Sequence, residues 1–271
     1  MKIQPLTRIS TWCASTLRPS SIKFAAVMFL VSWTTSHAAQ DFSACPQFFA
    51  NGKPPIVVPR PTHRALCYDA FAILHSGESK SAVFVAEKLT RESVALKHER
   101  RTSDFFAEAR LRASERATLD DYKGSGFDRG HLAPAGDMPT SQAMAQSFSL
   151  ANIVPQASDH NRGAWAKSVE LATRKYAARA IGNVYVITGP VFVPNIVQSP
   201  SIGQGKVRVP KYLFKLIYDQ NANRAWAHWH ENDNATRGSK PISYEELVNR
   251  TGIQFLPGTN PIKQGPVSPD I

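Results

Sequence analysis

Five apolar stretches with the composition of β-strands constrain the fold of this chain more than any other feature. The first two flank the turn residues 77–79. Helical patterns lie between the stretches without a regular strand–helix–strand rhythm, which favours an α+β fold over a parallel α/β fold. We therefore expect a mainly antiparallel central sheet flanked by helices. The stretches are residues 65–76, 80–90, 183–193, 207–219 and 224–231.

Three further segments carry helical signals. Residues 142–156 read as a short helix that runs into an extended segment. Residues 161–180 space their apolar side chains along one helical face. In residues 243–252, Ser243 and Glu246 form a capping box, and a glycine follows the last turn. We expect these helices to cover the sheet.

The N-terminus has the three-part organisation of a secretory signal. Basic residues precede an apolar run at 24–33, and small residues follow at Ser36 and Ala38, where a signal peptidase reads them. A membrane anchor is the alternative, but the run is far shorter than the roughly 20 residues that span a bilayer. We therefore expect residues 1–38 to be removed and the protein to be periplasmic or secreted, with no stable membrane association.

The rest of the chain reads as one domain followed by a tail. No internal repeat and no linker divides residues 39–257, so we expect a single catalytic or binding domain there. Residues 258–271 are rich in proline, which predicts a disordered tail.

Export changes how the cysteines are interpreted. Cys13 leaves with the signal, so only Cys45 and Cys67 remain. Two cysteines in an oxidising compartment most simply form one disulfide, although free buried thiols stay open as the alternative. A zinc site needs about four ligands, and the chain has no CxxC pair.

The charge balance suits a polyanionic partner. The chain has 32 basic and 21 acidic side chains, a net charge of +11. The predicted signal contains four of the basic residues and no acidic one, so the mature chain keeps a net charge of +7. Such an excess fits nucleic acid or an anionic surface, although it is a weak signal by itself.

The segment GSGFDRGHLAP, residues 124–134, concentrates groups suited to phosphodiester hydrolysis. That reaction needs a general base, a cation and usually a divalent metal. In an extended segment Arg129 and His131 point to one face, which aligns a phosphate-binding fork with a base. Gly130 would let a large ligand approach, and Asp128 would face the other way and anchor the segment. A surface turn with incidental charges is the alternative.

Three motifs follow one another in this part of the chain: DRGH at Asp128–His131, NxxPQ at 152–156 and NxxxW at 161–165. This ordered set resembles the DNA/RNA non-specific endonuclease family, which has a ββα-metal (His-Me finger) site and includes secreted bacterial nucleases and mitochondrial endonuclease G. The resemblance extends from about Cys67 to Pro257. It implies a ββα-metal nuclease fold.

The resemblance also implies roles for single residues. His131 corresponds to the general base and Asn161 to the only direct protein ligand of a Mg²⁺, for which Mn²⁺ is a possible substitute. An amide oxygen suits such a hard cation. Arg129 corresponds to a phosphate-binding residue. Arg101 corresponds to a second phosphate-facing arginine, with Arg100 as its rival.

Asn152 and Gln156 have two open interpretations. The resemblance implies that they support the metal helix and the waters of the metal. The alternative is that they cap backbone groups in an irregular loop.

One departure concerns Glu170. The family places its metal-site glutamate one position earlier, where this chain has Val169. At about 100° per residue, position 169 lies roughly 80° from Asn161 around an ideal helix, and position 170 roughly 180° away. We hypothesise a π-bulge near residues 166–169 that returns Glu170 to the site, because such bulges are frequent at functional sites.

The sequence thus predicts an exported, Mg²⁺-dependent endonuclease that hydrolyses both DNA and RNA without sugar specificity. An exported nucleic-acid-binding protein with a degenerate nuclease fold is the alternative. The presence of both His131 and Asn161 argues against it. The sequence does not decide between a monomer and a homodimer.

Overall fold

The protein is described by a computed structural model that covers residues 41–95 and 104–262, all within one structural unit. The predicted signal peptide at residues 1–38 lies outside these ranges, as do Arg100 and Arg101 and the end of the predicted tail, 263–271. No helix in the described ranges has both the length and the apolar character needed to cross a membrane.

An antiparallel sheet of seven strands forms the centre of the described chain. The strands of the described ranges are β1 (His63–Cys67), β2 (Phe71–Ser76), β3 (Ser81–Leu89), β4 (Asp128–His131), β5 (Ile153–Gln156), β6 (Val184–Val191), β7 (Ser201–Ile202), β8 (Val207–Arg208), β9 (Tyr212–Asp219), β10 (Arg224–Glu231) and β11 (Ile242–Ser243). The central sheet has the order β1–β2–β3–β6–β9–β10–β11, and two strand pairs, β4–β5 and β7–β8, stand apart from it.

Most helices are short. They are α1 (Arg91–Ala95), α2 (Leu119–Tyr122), α3 (Ser141–Ser147), α4 (Ser158–His160), a π-helix (Asn161–Glu170), α5 (Leu171–Ala177) and α6 (Tyr244–Thr251). Helix α6 has the predicted ends: Ser243 accepts the Glu246 amide, and Gly252 adopts the left-handed conformation at φ 69°. Short 3₁₀ helices occupy Pro46–Phe48, Ala50–Gly52, Ala113–Glu115, Ala135–Asp137 and Leu150–Asn152.

Both faces of the sheet are buried. Along β3, Phe84 packs into one hydrophobic cluster and the next residue, Val85, packs into another. Since successive side chains of a strand point to opposite faces, the two clusters lie on opposite sides of the sheet. Strands covered on both sides read as continuous apolar runs, which explains why the sequence shows no polar alternation here. The second cluster includes Leu132 and Trp165, so it supports the DRGH side of the molecule.

The expected α+β fold is confirmed, with two corrections among the strands. Residues 207–219 were expected to form a single strand, but they form β8, which pairs with β7, and β9, which lies in the central sheet. Residues 65–76 were expected to form a single strand, but they form β1 and β2, which pair with each other. The chain reverses at residues 68–70, where the Tyr68 amide donates to the Phe71 carbonyl at 2.9 Å. Asp69, in this turn, is the signal that marks the break.

The ends of the domain also differ from expectation in one place. Cys45 and Cys67 form the predicted disulfide, which joins the first described residues to β1. At the other end, the Ile262 amide donates to the Asn223 carbonyl at 2.8 Å, and Ile262 pairs with Arg224. The predicted boundary after Pro257 is therefore too early, because the chain still makes backbone hydrogen bonds to the sheet at residue 262.

Candidate active site

A cavity of about 510 Å³ opens between the β4–β5 ribbon and the π-helix. Four residues that the sequence singles out line it together: Arg129, His131, Asn161 and Glu170. Asp128, Asn152 and Gln156 are not among the lining residues. Phe105 and Arg174 are lining residues that the sequence analysis missed.

Strand β4 places the base and a cation on one face. It pairs antiparallel with β5, with Asp128 opposite Gln156 and His131 opposite Ile153. Arg129 and His131 are two residues apart on an extended strand, so both side chains reach the cavity, as predicted. This ribbon followed by a helix is the order of elements that the ββα class requires.

Gly130 corrects one expectation. The missing side chain was expected to make room for a ligand. Instead, a Cβ atom built at Gly130 would lie 2.0 Å from Gln156 Oε1 and 2.6 Å from Gln156 Cβ. The space above this glycine is therefore filled by the Gln156 side chain of the paired strand.

Aromatic rings fix the orientation of both side chains on β4. The His131 ring packs against Phe105 and Phe148, with ring centroids 5.5 and 4.9 Å away. The Arg129 guanidinium lies over the Phe105 ring, 4.4 Å from its centre, in a cation–π contact. Phe105 thus contacts the candidate base and the candidate phosphate-binding residue together. Its apolar character within a charged loop is the only sequence signal for this role.

Asp128 anchors the start of the π-helix. It accepts hydrogen bonds from Ser158 Oγ at 3.0 Å, from Asn161 Nδ2 at 3.0 Å and from the Arg162 guanidinium at 2.7 and 2.8 Å. Partial burial favours the neutral acid, but the hydrogen bonds from Arg162, Asn161 and Ser158 outweigh it and lower the pKa of Asp128. The carboxylate is therefore charged and holds one end of the Asn161 amide.

The ten residues Asn161–Glu170 form a π-helix rather than an α-helix. The Leu171 amide donates to the Ala166 carbonyl five residues back, the spacing that defines this geometry. The hypothesised widening is thus confirmed, although it extends well beyond residues 166–169. The wider turns absorb the extra residue, and Glu170 lines the cavity together with Asn161.

Arg174 adds a further guanidinium to the cavity, beside those of Arg129 and Arg162. Its Nη1 lies 2.7 Å from Oδ1 of Asp137, a carboxylate that is 1% exposed and follows the DRGH strand in a 3₁₀ helix. Arg174 comes four residues after Glu170, one turn along α5. That spacing places an acidic and a basic side chain at i and i+4, and it is the sequence signal from which Arg174 could have been found.

A buried cation supports the backbone behind His131. Lys215 on β9 is fully buried and donates to Thr188 Oγ1 at 2.8 Å and to the Leu132 carbonyl at 3.3 Å. Its Nζ lies 3.5 Å from Glu87 Oε1. Burial and the nearby Asp137 raise the pKa of Glu87 to about 8, against the opposing effect of Lys215. The residue after the candidate base is thus tied to the central sheet.

Asn152 and Gln156 make different kinds of contact. The buried Asn152 accepts the Ala133 amide at 2.9 Å and donates to the carbonyls of Ala133 and Ser147, both at 2.8 Å. These contacts match the backbone-capping alternative. Gln156 instead contacts His160, the residue before Asn161, through its side-chain nitrogen at 3.1 Å.

The cavity offers oxygen donors for a metal ion. A carboxylate only accepts hydrogen bonds, so Asp128 must contact the amide nitrogen of Asn161, and Oδ1 points away from it. The Glu170 carboxylate lies in the same cavity. Amide and carboxylate oxygens suit a hard divalent cation. Within the described ranges, this cavity included, no three His, Cys, Asp or Glu side chains converge in a group that would hold a metal.

Comparison with known proteins gives consistent matches. The sequence profile described as DNA/RNA non-specific endonuclease matches residues 56–261. The human protein named "Endonuclease G, mitochondrial" is 39% identical over 160 residues, which cover 56% of this chain and 51% of the relative. "Nuclease C1" of Cunninghamella echinulata var. echinulata is 33% identical over 170 residues, which cover 59% and 67%. The chain thus spans about half the length of the first curated relatives it matches.

A solved structure, titled "Crystal structure of the EndoG/EndoGI complex: Mechanism of EndoG inhibition", has a similar fold. It superposes with a TM-score of 0.67 and 26% sequence identity, over 72% of this chain and 86% of that chain. The shared architecture includes a central antiparallel sheet with flanking helices.

Proposed function

The chain belongs to the DNA/RNA non-specific endonuclease family, and we propose that it is a metal-dependent endonuclease that hydrolyses phosphodiester bonds of DNA and RNA. One observation carries the proposal: a histidine, three arginines and the oxygen donors of an asparagine and a glutamate line a single cavity. Each part of the reaction has a side chain suited to it there.

His131 acts as the general base. It lies on a paired strand, its ring is held by two phenylalanines, and the residue after it is tied to the buried Lys215. A neutral imidazole accepts a proton near neutral pH. In this role it takes the proton from the water that attacks phosphorus.

Arg129 and Arg174 bind the phosphate. A guanidinium presents a planar fork that matches two phosphate oxygens and stays charged at any working pH. Arg129 is exposed over Phe105, so a duplex in solvent can contact it. Arg174 is more buried and is paired with Asp137. The two cations together offset the negative charge that builds on the phosphate oxygens as the bond breaks.

The donor set fits a divalent cation, which we propose to be Mg²⁺ with Mn²⁺ as a substitute. Asn161 would hold it through Oδ1, and Glu170 would contribute its carboxylate to the same site. When bound, such a cation supplies positive charge that stabilises the leaving oxygen. Asp128 contributes by keeping the Asn161 amide in one orientation.

The proposed substrates are DNA and RNA, single- or double-stranded, with products that carry a 5′-phosphate and a 3′-hydroxyl. Recognition through phosphates carries no sequence information, which supports weak sequence selectivity. Phosphate binding by cations also predicts that binding weakens steeply with salt. We further propose that residues 1–38 direct export to the periplasm or the medium, because their basic, apolar and small-residue segments follow the pattern of a secretory signal.

The test is cleavage of plasmid DNA and of RNA by the mature chain in Mg²⁺, with and without EDTA. We expect fragments of both substrates, no cutting in EDTA, and about 10²- to 10⁴-fold slower cutting by His131→Ala. His63→Ala, a buried histidine outside the cavity, serves as the matched control and should cut at the wild-type rate. Binding without cutting by the wild-type chain under several divalent metals would support the nucleic-acid-binding alternative instead.

A further inference from the structure

A chain of buried side chains lies directly behind Asn161. Gln156 Nε2 is 3.1 Å from His160 Nδ1, and His160 Nε2 is 3.2 Å from His230 Nδ1. Gln156 and His160 are fully buried, and His230 is 2% exposed. These three side chains, the Gln–His–His chain, come from β5, α4 and β10, so they connect the ribbon and the helix start to the central sheet.

The hydrogen bonds in this chain have a fixed direction. The amide nitrogen of Gln156 only donates, so Nδ1 of His160 accepts. His160 is then neutral with its proton on Nε2, which donates to Nδ1 of His230. Each ring nitrogen in these two hydrogen bonds is therefore either a donor or an acceptor but not both, and each ring is held in one orientation.

The same histidines contact the π-helix a second time. The fully buried Trp165, four residues after Asn161, packs against both rings, with centroid distances of 5.6 Å to His160 and 5.8 Å to His230. Asn161 is thus flanked on the chain by His160 before it and by Trp165 after it. His160 is hydrogen-bonded to His230, and Trp165 packs against the His230 ring, so both residues contact one histidine of the central sheet.

We propose that His160 and His230 are positioning residues, which set the orientation of Asn161 so that its Oδ1 faces the cavity. This inference rests on the proposed function. Asp128 holds the side-chain amide of Asn161, and the Gln–His–His chain holds His160, the residue that precedes Asn161 on the backbone. Neither histidine belongs to the DRGH, NxxPQ or NxxxW motif, so the family resemblance does not imply this role.

Other contacts keep the segment attached without the histidines. Asn232 Oδ1 accepts the Ala157 amide at 2.8 Å, and Asn234 Oδ1 accepts the Asp159 amide at 2.9 Å. Loss of the histidine bond should therefore loosen the orientation of Asn161 without detaching the helix start. The effect should appear in cation binding more than in folding.

The experiment measures Mn²⁺ binding to nucleic-acid-free protein by electron paramagnetic resonance, beside the Mn²⁺ dependence of kcat and KM for cutting. His230→Phe keeps the ring and removes the hydrogen bond, and we expect about 10-fold weaker Mn²⁺ binding, the size seen when a supporting partner of a metal ligand is lost. His230→Asn places an acceptor near the former Nδ1 and should restore most of the affinity. His160→Phe breaks the same bond from the other side and serves if His230→Phe does not fold.

The matched control is His228→Phe, because His228 is buried on the same strand and outside the hydrogen-bonded chain. It should bind Mn²⁺ like the wild type, even where its thermal unfolding midpoint falls as far as that of His230→Phe. Unchanged Mn²⁺ binding by both Phe variants of the chain, or an equal loss in His228→Phe, would overturn the positioning role alone. A wild-type chain that neither binds Mn²⁺ nor cuts would overturn the proposed function and this inference with it.

Discussion

Asn161 donates its side-chain amide to Asp128 across 3.0 Å, and this bond decides which atom of the amide remains for the cavity. Asp128 lies on β4, two residues before Gly130 and three before His131, while Asn161 begins the π-helix. The bond therefore links the strand that carries the candidate base to the helix that carries the candidate metal ligand.

Replacing Asp128 by alanine should impair metal use. The Asn161 amide would be free to rotate, and we expect the Mg²⁺ concentration for half-maximal cutting to rise about 10- to 100-fold. Arg162→Ala removes another partner of Asp128, a side chain that is 74% exposed, and exposed ion pairs contribute little. It should change the Mg²⁺ requirement far less. Equal Mg²⁺ requirements for Asp128→Ala and the wild type would contradict the anchoring role.

The π-helix should tolerate the loss of one residue. Deleting the exposed Lys167 shortens the interval between Asn161 and Glu170 from nine residues to eight, the spacing that the family resemblance implies for an ordinary helix. We expect cutting within about 3-fold of the wild type, since Glu170 would still reach the cavity. The thermal unfolding midpoint should not fall.

Glu170→Ala provides the contrast for this deletion. It should slow cutting by about 10- to 100-fold, because the carboxylate leaves the cavity. If the Lys167 deletion cuts as slowly as Glu170→Ala while it remains folded, the geometric account of the π-helix is wrong.

The disulfide should stabilise the protein without taking part in cutting. Cys45 packs in the cluster on the sheet face opposite the one that includes Leu132 and Trp165, and its partner Cys67 is 22 residues further along the chain. Removing a cross-link of this span in Cys45→Ala/Cys67→Ala should lower the free energy of unfolding by about 3 kcal/mol. Urea unfolding under non-reducing conditions measures this. A change in cutting rate in the absence of urea would show that the disulfide also acts on the site.

Stability should fall in acid partly because of His75. Burial lowers the pKa of His75 to about 4, although its Nε2 donates to the Glu115 carbonyl at 2.8 Å. The unfolded chain binds this proton near pH 6.5, so it holds more protons than the folded chain between pH 6.5 and 4. The free energy of unfolding must therefore decrease as the pH falls through that window, by up to about 3 kcal/mol from this group.

His75→Gln checks this pH dependence because it keeps a donor for Glu115 and does not titrate. The free energy of unfolding is measured with urea at pH 7, 5 and 4. We expect it to fall further for the wild type than for the variant between pH 7 and pH 4. Curves that stay parallel over the three pH values would rule out His75 as a source of the acid sensitivity.

Local patterns alone were enough to indicate most of the architecture. Apolar runs predicted the long strands, and capping residues predicted the ends of α6, because both signals depend on neighbours within a few residues. The break at Asp69 was missed because an apolar run masked a single turn residue. The extra residue before Glu170 was visible by counting, since an ideal helix would have turned that carboxylate away.

The sequence by itself determined the fold class, the disulfide partners, and the strand that carries Arg129 and His131. Only the tertiary structure decided what surrounds them. Phe105 and Lys215 reach the site from distant segments, and the Gln–His–His chain joins residues 70 positions apart. Such contacts depend on how the ribbon and the π-helix pack on the central sheet, and no short-range pattern in the chain encodes that packing.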